Sequence, residues 1–141
     1  MLSKSLQGKA VKMQDEALTE TIIGCAFKVH NTLGVGFLEK AYENSLCIEL
    51  VRQNLDVKQQ EPIKVYYEGH VVGEYYADLW VENRVIVEVK AVRTLSKQHE
   101  VQLVNYLTAT GVDTGLLINF GPSVEVKRKF RQYKPRSNRR D

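Results

Sequence analysis

The sequence has little cysteine and no long apolar run, and each shortage closes off a class of protein. Only two cysteines occur in 141 residues, too few for the four thiolates of an iron–sulfur cluster. Cys25 and Cys47 each sit in an apolar helical pattern, with no second Cys or His at metal-ligand spacing, so both read as buried free thiols. No apolar stretch approaches the roughly 18 residues of a membrane-spanning helix. The N-terminal M-L-S-K-S-L-Q-G-K-A also lacks the continuous apolar segment of a signal peptide. The expectation is a cytoplasmic protein with no membrane partner. No repeat, linker or second domain is visible, and the length suits one domain over 1–141. Within it, residues 1 to about 12 read as a loose N-terminus.

Positive charge is scarce everywhere except at the C-terminal end. The formal net charge is +3, yet from Lys127 onward there are eight Lys or Arg and one acid, leaving 12 basic and 16 acidic residues before that point. The run K-R-K-F-R-Q-Y-K-P-R-S-N-R-R holds all of the excess. It suits a phosphate backbone, with Lys127, Arg128, Lys129 and Arg131 as candidate nucleic-acid contacts and 131–141 as a basic tail. The plain alternative is a solvated tail that aids solubility.

Periodicity predicts the order αα-βββ-α-ββ. Leu18, Ile22, Cys25, Ala26, Val29 and Leu33 recur at three- and four-residue steps, giving a first helix from Asp15 that Gly34 ends. A second helix runs from about Leu38 to Asn54. After a break at 54–57 the alternation of Ile63, Val65 and Tyr67 marks a strand, and Pro62 places it at a sheet edge. Val71 to Val81 and Val85 to Val92 complete a three-stranded meander. Ser96 reads as the N-cap of a third helix to about Thr110, with Val101, Val104 and Leu107 as its buried stripe. Thr114 to Phe120 and Val124 to about Phe130 are the last strands. The strand–helix–strand passage from Val85 to Phe120 predicts parallel neighbours, and the whole an α/β fold with a mixed sheet flanked by helices.

The chemistry concentrates in Asp78 to Lys90, D-L-W-V-E-N-R-V-I-V-E-V-K. Val85, Ile86, Val87 and Val89 mark a mostly buried strand, where an unpaired charge is costly. Alternation puts Glu88 and Lys90 on one face. If Val81 pairs with Val85 across Glu82-Asn83-Arg84, Asp78 lies opposite Glu88, with β-carbons roughly 4.5–5.5 Å apart; Asn83 or Arg84 then takes a left-handed conformation, and Asn is the better candidate. Two carboxylates that close repel unless a proton or cation lies between them. Mg²⁺ or Mn²⁺ suits them, with the Val89 carbonyl as a further possible ligand and Lys90 within reach of a phosphate oxygen or a water. An ordinary solvated Glu–Lys face is the competing reading. Gln102 and Tyr106 share one face of the third helix, with Gln98 a turn earlier. His99 and His30 have no evident role. Glu39 stands in the first turn of the second helix, where the helix dipole favours a carboxylate.

These residues carry a resemblance. Asp78…Glu88-Val89-Lys90 is similar to the PD-(D/E)xK nuclease signature, with Ala77 where the motif has proline. Gln102 and Tyr106 resemble the Q-x-x-x-Y helix motif of RecB-type nucleases, and Gly36-Phe37-Leu38-Glu39-Lys40-Ala41-Tyr42 resembles the motif of the GxxExxY proteins. The likeness spans nearly the whole chain and implies a restriction-endonuclease-like core. It implies a metal-dependent nuclease acting on DNA, with Asp78 and Glu88 as ligands and Lys90 as base or charge stabiliser. It brings Glu39 into the acidic cluster, with Gly36 turning it inward, and points Gln102 and Tyr106 at the metal site. A nucleic-acid-binding module without catalysis is the alternative, as is an interaction subunit with a protein partner or a second copy of itself.

Overall fold

The computed structural model describes the backbone of residues 4–132 and side chains from Asp15 onward. Eight elements follow in the order α1 (Lys4–Leu33), α2 (Glu39–Arg52), β1 (Val57–Tyr67), β2 (His70–Val81), β3 (Val85–Lys90), α3 (Lys97–Thr110), β4 (Thr114–Phe120) and β5 (Val124–Phe130). The strands form one mixed sheet in that spatial order. β3 and β4 are parallel, with α3 as their crossover, and the other neighbours are antiparallel. The fold is thus α/β with helices on both faces. β1, carrying Pro62, is an edge strand, as a residue without an N–H requires.

Each face of the sheet has its own core. Leu18, Ile22, Cys25, Ala26 and Val29 of α1 and Leu46 and Leu50 of α2 pack against Leu79, Val81, Val85, Val87, Val89, Leu116, Ile118 and Phe120. On the opposite face Leu103, Tyr106 and Leu107 of α3 cover Ile63, Ala77, Ile86 and Leu117. β4 is buried at all seven positions because helices cover both sides, which is why it reads as a continuous apolar run.

Three boundaries differ from expectation. α1 begins at Lys4, where a loose segment was predicted; the stretch is rich in Lys, Leu, Gln, Ala and Met, good helix formers that need no apolar stripe. β1 begins at Val57, since Val57, Lys58 and Gln59 pair with Val81, Trp80 and Leu79 despite a polar composition that gives no strand signal. β3 ends at Lys90 and not Val92. Val101 is not in the buried stripe of α3: it is half exposed, and Leu103, Val104, Tyr106 and Leu107 are the buried residues. Cys25 is buried and Cys47 partly so, both as free thiols.

The candidate acidic site

The site is built where the ladder between β2 and β3 gives out. Val81 pairs with Val85 across Glu82-Asn83-Arg84. Asn83 takes the left-handed conformation, as does Glu82, each with φ 54°, while Arg84 does not. The Arg84 N–H closes the turn on the Val81 carbonyl at 2.9 Å. Pairing continues through Trp80–Ile86 to Leu79–Val87, and the same register sets Asp78 level with Glu88. There the backbone ladder is replaced by carboxylates. The Asp78 N–H donates to Glu88 Oε2 at 2.8 Å, and the Val89 N–H donates to Asp78 Oδ2 at 2.8 Å.

Strand alternation is also broken at this point. Ala77 and Trp80, three residues apart, pack in the same α3-side core, whereas a regular strand would turn them to opposite faces. Across the sheet, Gln60 of β1 has φ 54° in mid-strand. Its amide Nε2 donates to Asp78 Oδ1 at 3.1 Å and to both oxygens of Glu43 at 3.1 and 3.2 Å. Glu43, buried on α2, also accepts from Gln59 at 2.6 Å and from Lys40 at 3.0 Å.

Charge is poorly compensated here. Burial, and then the neighbouring Asp78, push the Glu88 carboxyl up to about 8. Asp78 is raised as well, chiefly by burial and against the pull of the Val89 N–H. The positive charge of Lys90 draws both down, and the negative charge of Glu43 adds to the repulsion. Burial followed by the charge of Glu88 lifts the Tyr106 phenol to about 12, so the α3 tyrosine shares the field of the acids. Its oxygen accepts from Gln102 Nε2 at 2.7 Å.

The structure therefore gathers Asp78, Glu88, Lys90, Val89 and Tyr106 into one neighbourhood, with Gln102 bonded to Tyr106. Glu39 stands apart. It is exposed and makes none of the contacts of Glu43, which lies one turn, about 6 Å, further along α2. Gly36 does take a positive φ, 102°, but the turn it makes leads to Tyr42, whose phenol donates to the Gly34 carbonyl at 2.6 Å. Tyr42 is fully buried and stacks on Phe120 at 4.7 Å. Glu43 and Gln60 were missed because neither lies in an apolar pattern; the one available signal was a glutamate following a core tyrosine. His99, to which the sequence gives no role, accepts the Ser96 N–H at 3.2 Å and so caps α3.

Among the described residues, Lys127 and Arg128 are exposed on β5. Lys129 is paired with Glu100 and Arg131 with Asp113, both at 3.0 Å. The basic tail beyond 132 lies outside the described residues.

A mixed sheet covered by helices on both faces holds two acids and a lysine where the β2–β3 ladder ends. The chain belongs to the PD-(D/E)XK nuclease superfamily, whose family model matches residues 16–132. No curated protein matches the sequence closely enough to count as a relative. Among solved structures the fold is similar to that of SSO0001, with a TM-score of 0.53 and 17% identity over 68% of this chain and 52% of that one. It also resembles, at a TM-score of 0.47 and 12% identity, an alkaline exonuclease (LHK-Exo) from Laribacter hongkongensis, over 61% of this chain and 52% of the other. The chain thus spans about half the length of each of these two structures.

Proposed function

We propose that the protein is a divalent-metal-dependent nuclease that hydrolyses phosphodiester bonds in DNA, with Asp78 and Glu88 as the metal-binding pair. The observation that carries this reading is the buried juxtaposition of the two carboxylates, one of them raised to about 8 by burial and its neighbour. Evolution of a soluble core offers no reason to hold two acids together out of water unless something positive joins them.

The donor set suits Mg²⁺ or Mn²⁺. Asp78 and Glu88 both offer hard carboxylate oxygens, the donors these ions take. Among the described residues, no group of three or more His, Cys, Asp or Glu side chains is arranged to hold a metal ion. An ion held by two carboxylates would keep positions for water and phosphate. When bound, such an ion supplies Lewis acidity to the phosphate and lowers the pKa of an attacking water. Asp78 and Glu88 hold the site, each anchored by a backbone N–H. Lys90, half-buried beside them, would donate from its ammonium to a phosphate oxygen or to the oxygen of the attacking water. Glu43 orients Gln60, which in turn fixes Asp78, and so takes the outer role that the sequence motif assigned to Glu39. Similarity to the GxxExxY and RecB-type motifs supports the same reading, and Lys127 and Arg128 would meet the phosphate backbone away from the scissile bond.

The test is cleavage of single-stranded DNA, duplex DNA and RNA across a titration of Mg²⁺ and of Mn²⁺. Asp78→Asn and Lys90→Ala should abolish cleavage, and EDTA should do the same to the wild type. Glu43→Gln should lower it roughly 10- to 100-fold, as loss of an outer partner does. A wild type that cuts none of the substrates with either metal would overturn the reading.

A further inference from the structure

Beyond Leu79, β2 has no partner on its β3 side, so residues 70–78 pair with β1 alone. The β1–β2 hairpin leaves the sheet there as a two-stranded arm lying over α3. Between arm and helix runs a cleft of about 740 Å³, lined by Val65 and Tyr75 on the arm and by Lys97, Val101, Gln102 and Tyr106 on α3. Its size is that of a small-molecule site, enough for roughly one or two nucleotides. Tyr106 links this cleft to the acids, because its phenol lies in the field of Glu88.

The composition of the cleft is selective. Tyr75 is a large aromatic residue left 45% exposed, set against Tyr106 with ring centroids 5.7 Å apart. Gln98, Gln102 and Asn105 add amides that can donate and accept at base edges, and Lys97 adds a cation. Among the described residues no carboxylate lines the cleft, and the three acids of β1 and β2, Glu61, Glu74 and Asp78, lie outside it. An aromatic platform with amides and a cation, free of negative charge, fits an unpaired base on a phosphate chain better than it fits a peptide or an apolar ligand.

One glycine makes the platform possible. A β-carbon on Gly73 would stand 2.9 Å from Tyr75 Cε2 and 3.3 Å from its hydroxyl oxygen. The Tyr75 ring therefore occupies the space that any other residue at 73 would fill. The backbone of Gly73 is not in the left-handed region, so room for the ring, and not chain conformation, is what the glycine provides.

We infer that this cleft is a nucleobase-stacking subsite for single-stranded DNA, with Tyr75 as the stacking platform and Gly73 as the residue that lets its ring lie there. The inference deepens the nuclease reading by naming the substrate as an unpaired strand, delivered along α3 to the acids. Tyr75 binds substrate and takes no part in bond cleavage; Gly73 is a positioning residue.

The experiment measures binding apart from cleavage. Full-length protein carrying Asp78→Asn, which keeps the strand intact, is titrated into a fluorescent oligothymidylate, an abasic strand of the same length and a blunt hairpin duplex. The oligothymidylate should bind most tightly, and Tyr75→Ala should weaken it roughly tenfold, the size of one lost base stack. Tyr75→Phe should restore most of that loss, Gly73→Val should reproduce it, and the abasic strand should be indifferent to all three changes. In the cleaving protein, Tyr75→Ala should raise KM and leave kcat unchanged. Equal binding of abasic and normal strands, duplex binding as tight as single-strand binding, or no effect of Tyr75→Ala would each overturn the inference. A wild type that cuts nothing while Tyr75→Ala still loses affinity would sink the nuclease reading alone. Cleavage that persists with Tyr75→Ala binding unchanged would sink only the stacking subsite.

Discussion

At the scale of single residues, Glu88 sets the pH behaviour of the metal-free protein. Its folded pKa is raised, from 4.5 to about 8, so between those values the folded protein holds a proton that the unfolded chain releases. Stability accordingly falls as pH rises through that window and levels off above it. The loss is on the order of a few kcal/mol, an effect that thermal melts at about pH 5 and about pH 9 resolve. Glu88→Gln keeps a side-chain carbonyl for the Asp78 N–H and has no proton to lose. Its melting temperature should exceed that of the wild type at the alkaline end and be nearly independent of pH. A wild-type Tm that stays level across the range would contradict the assignment. Divalent metal should restore stability mainly at the alkaline end, where the carboxyl is already ionised.

At the scale of elements, the tie between α1 and the sheet is specific and testable. Asp15 is buried and accepts the Thr114 hydroxyl of β4 at 2.7 Å and Arg84 Nε at 3.1 Å. One carboxylate thus joins a helix to the first residue of β4 and to the turn residue that precedes β3. Asp15→Ala leaves a buried hydroxyl and a guanidinium without their acceptor and should cost about 2–3 kcal/mol in urea unfolding. Its distance in sequence from the hairpin, 69 residues, was not bridgeable by any periodicity argument. What periodicity did convey was the run of strands and helices, the parallel β3–β4 pair and the level placement of Asp78 and Glu88, because a buried two-residue alternation leaves little freedom of register. It could not convey Gln60 or Glu43. Gln60 enters the site through an irregular backbone in a polar stretch, and Glu43 through the rotation of α2 about its axis. That rotation is fixed by the stacking of Tyr42 on Phe120, a contact between distant parts of the chain. Glu39 and Glu43 are four residues apart on one helical stripe, so sequence spacing alone does not decide between them.

At the scale of the whole molecule, the basic charge is less uniform than its sequence run. Lys129 and Arg131 are already engaged with Glu100 and Asp113, and the hydrogen bond from Lys129 holds the Glu100 carboxyl below its ordinary range. Lys127 and Arg128 are exposed on the edge strand. In binding measured against salt concentration, the double variant Lys127→Ala, Arg128→Ala should flatten the logarithmic slope by roughly 1–2. Lys129→Ala should change it less, since its positive charge is partly cancelled before any phosphate arrives. Equal slopes for the two variants would show that the ion pair between α3 and β5 does not ration the charge offered to a nucleic acid.

The two amides at the divergence of β2 and β3 have a consequence of another kind. Neighbouring strand amides are protected from solvent by backbone carbonyls, but those of Asp78 and Val89 are closed by the carboxylates of Glu88 and Asp78. Their hydrogen exchange is therefore coupled to the occupancy and protonation of the acids and not only to the opening of the sheet. The protein carries two backbone reporters on its own site, readable residue by residue in a nitrogen–proton spectrum without any added label on substrate or metal.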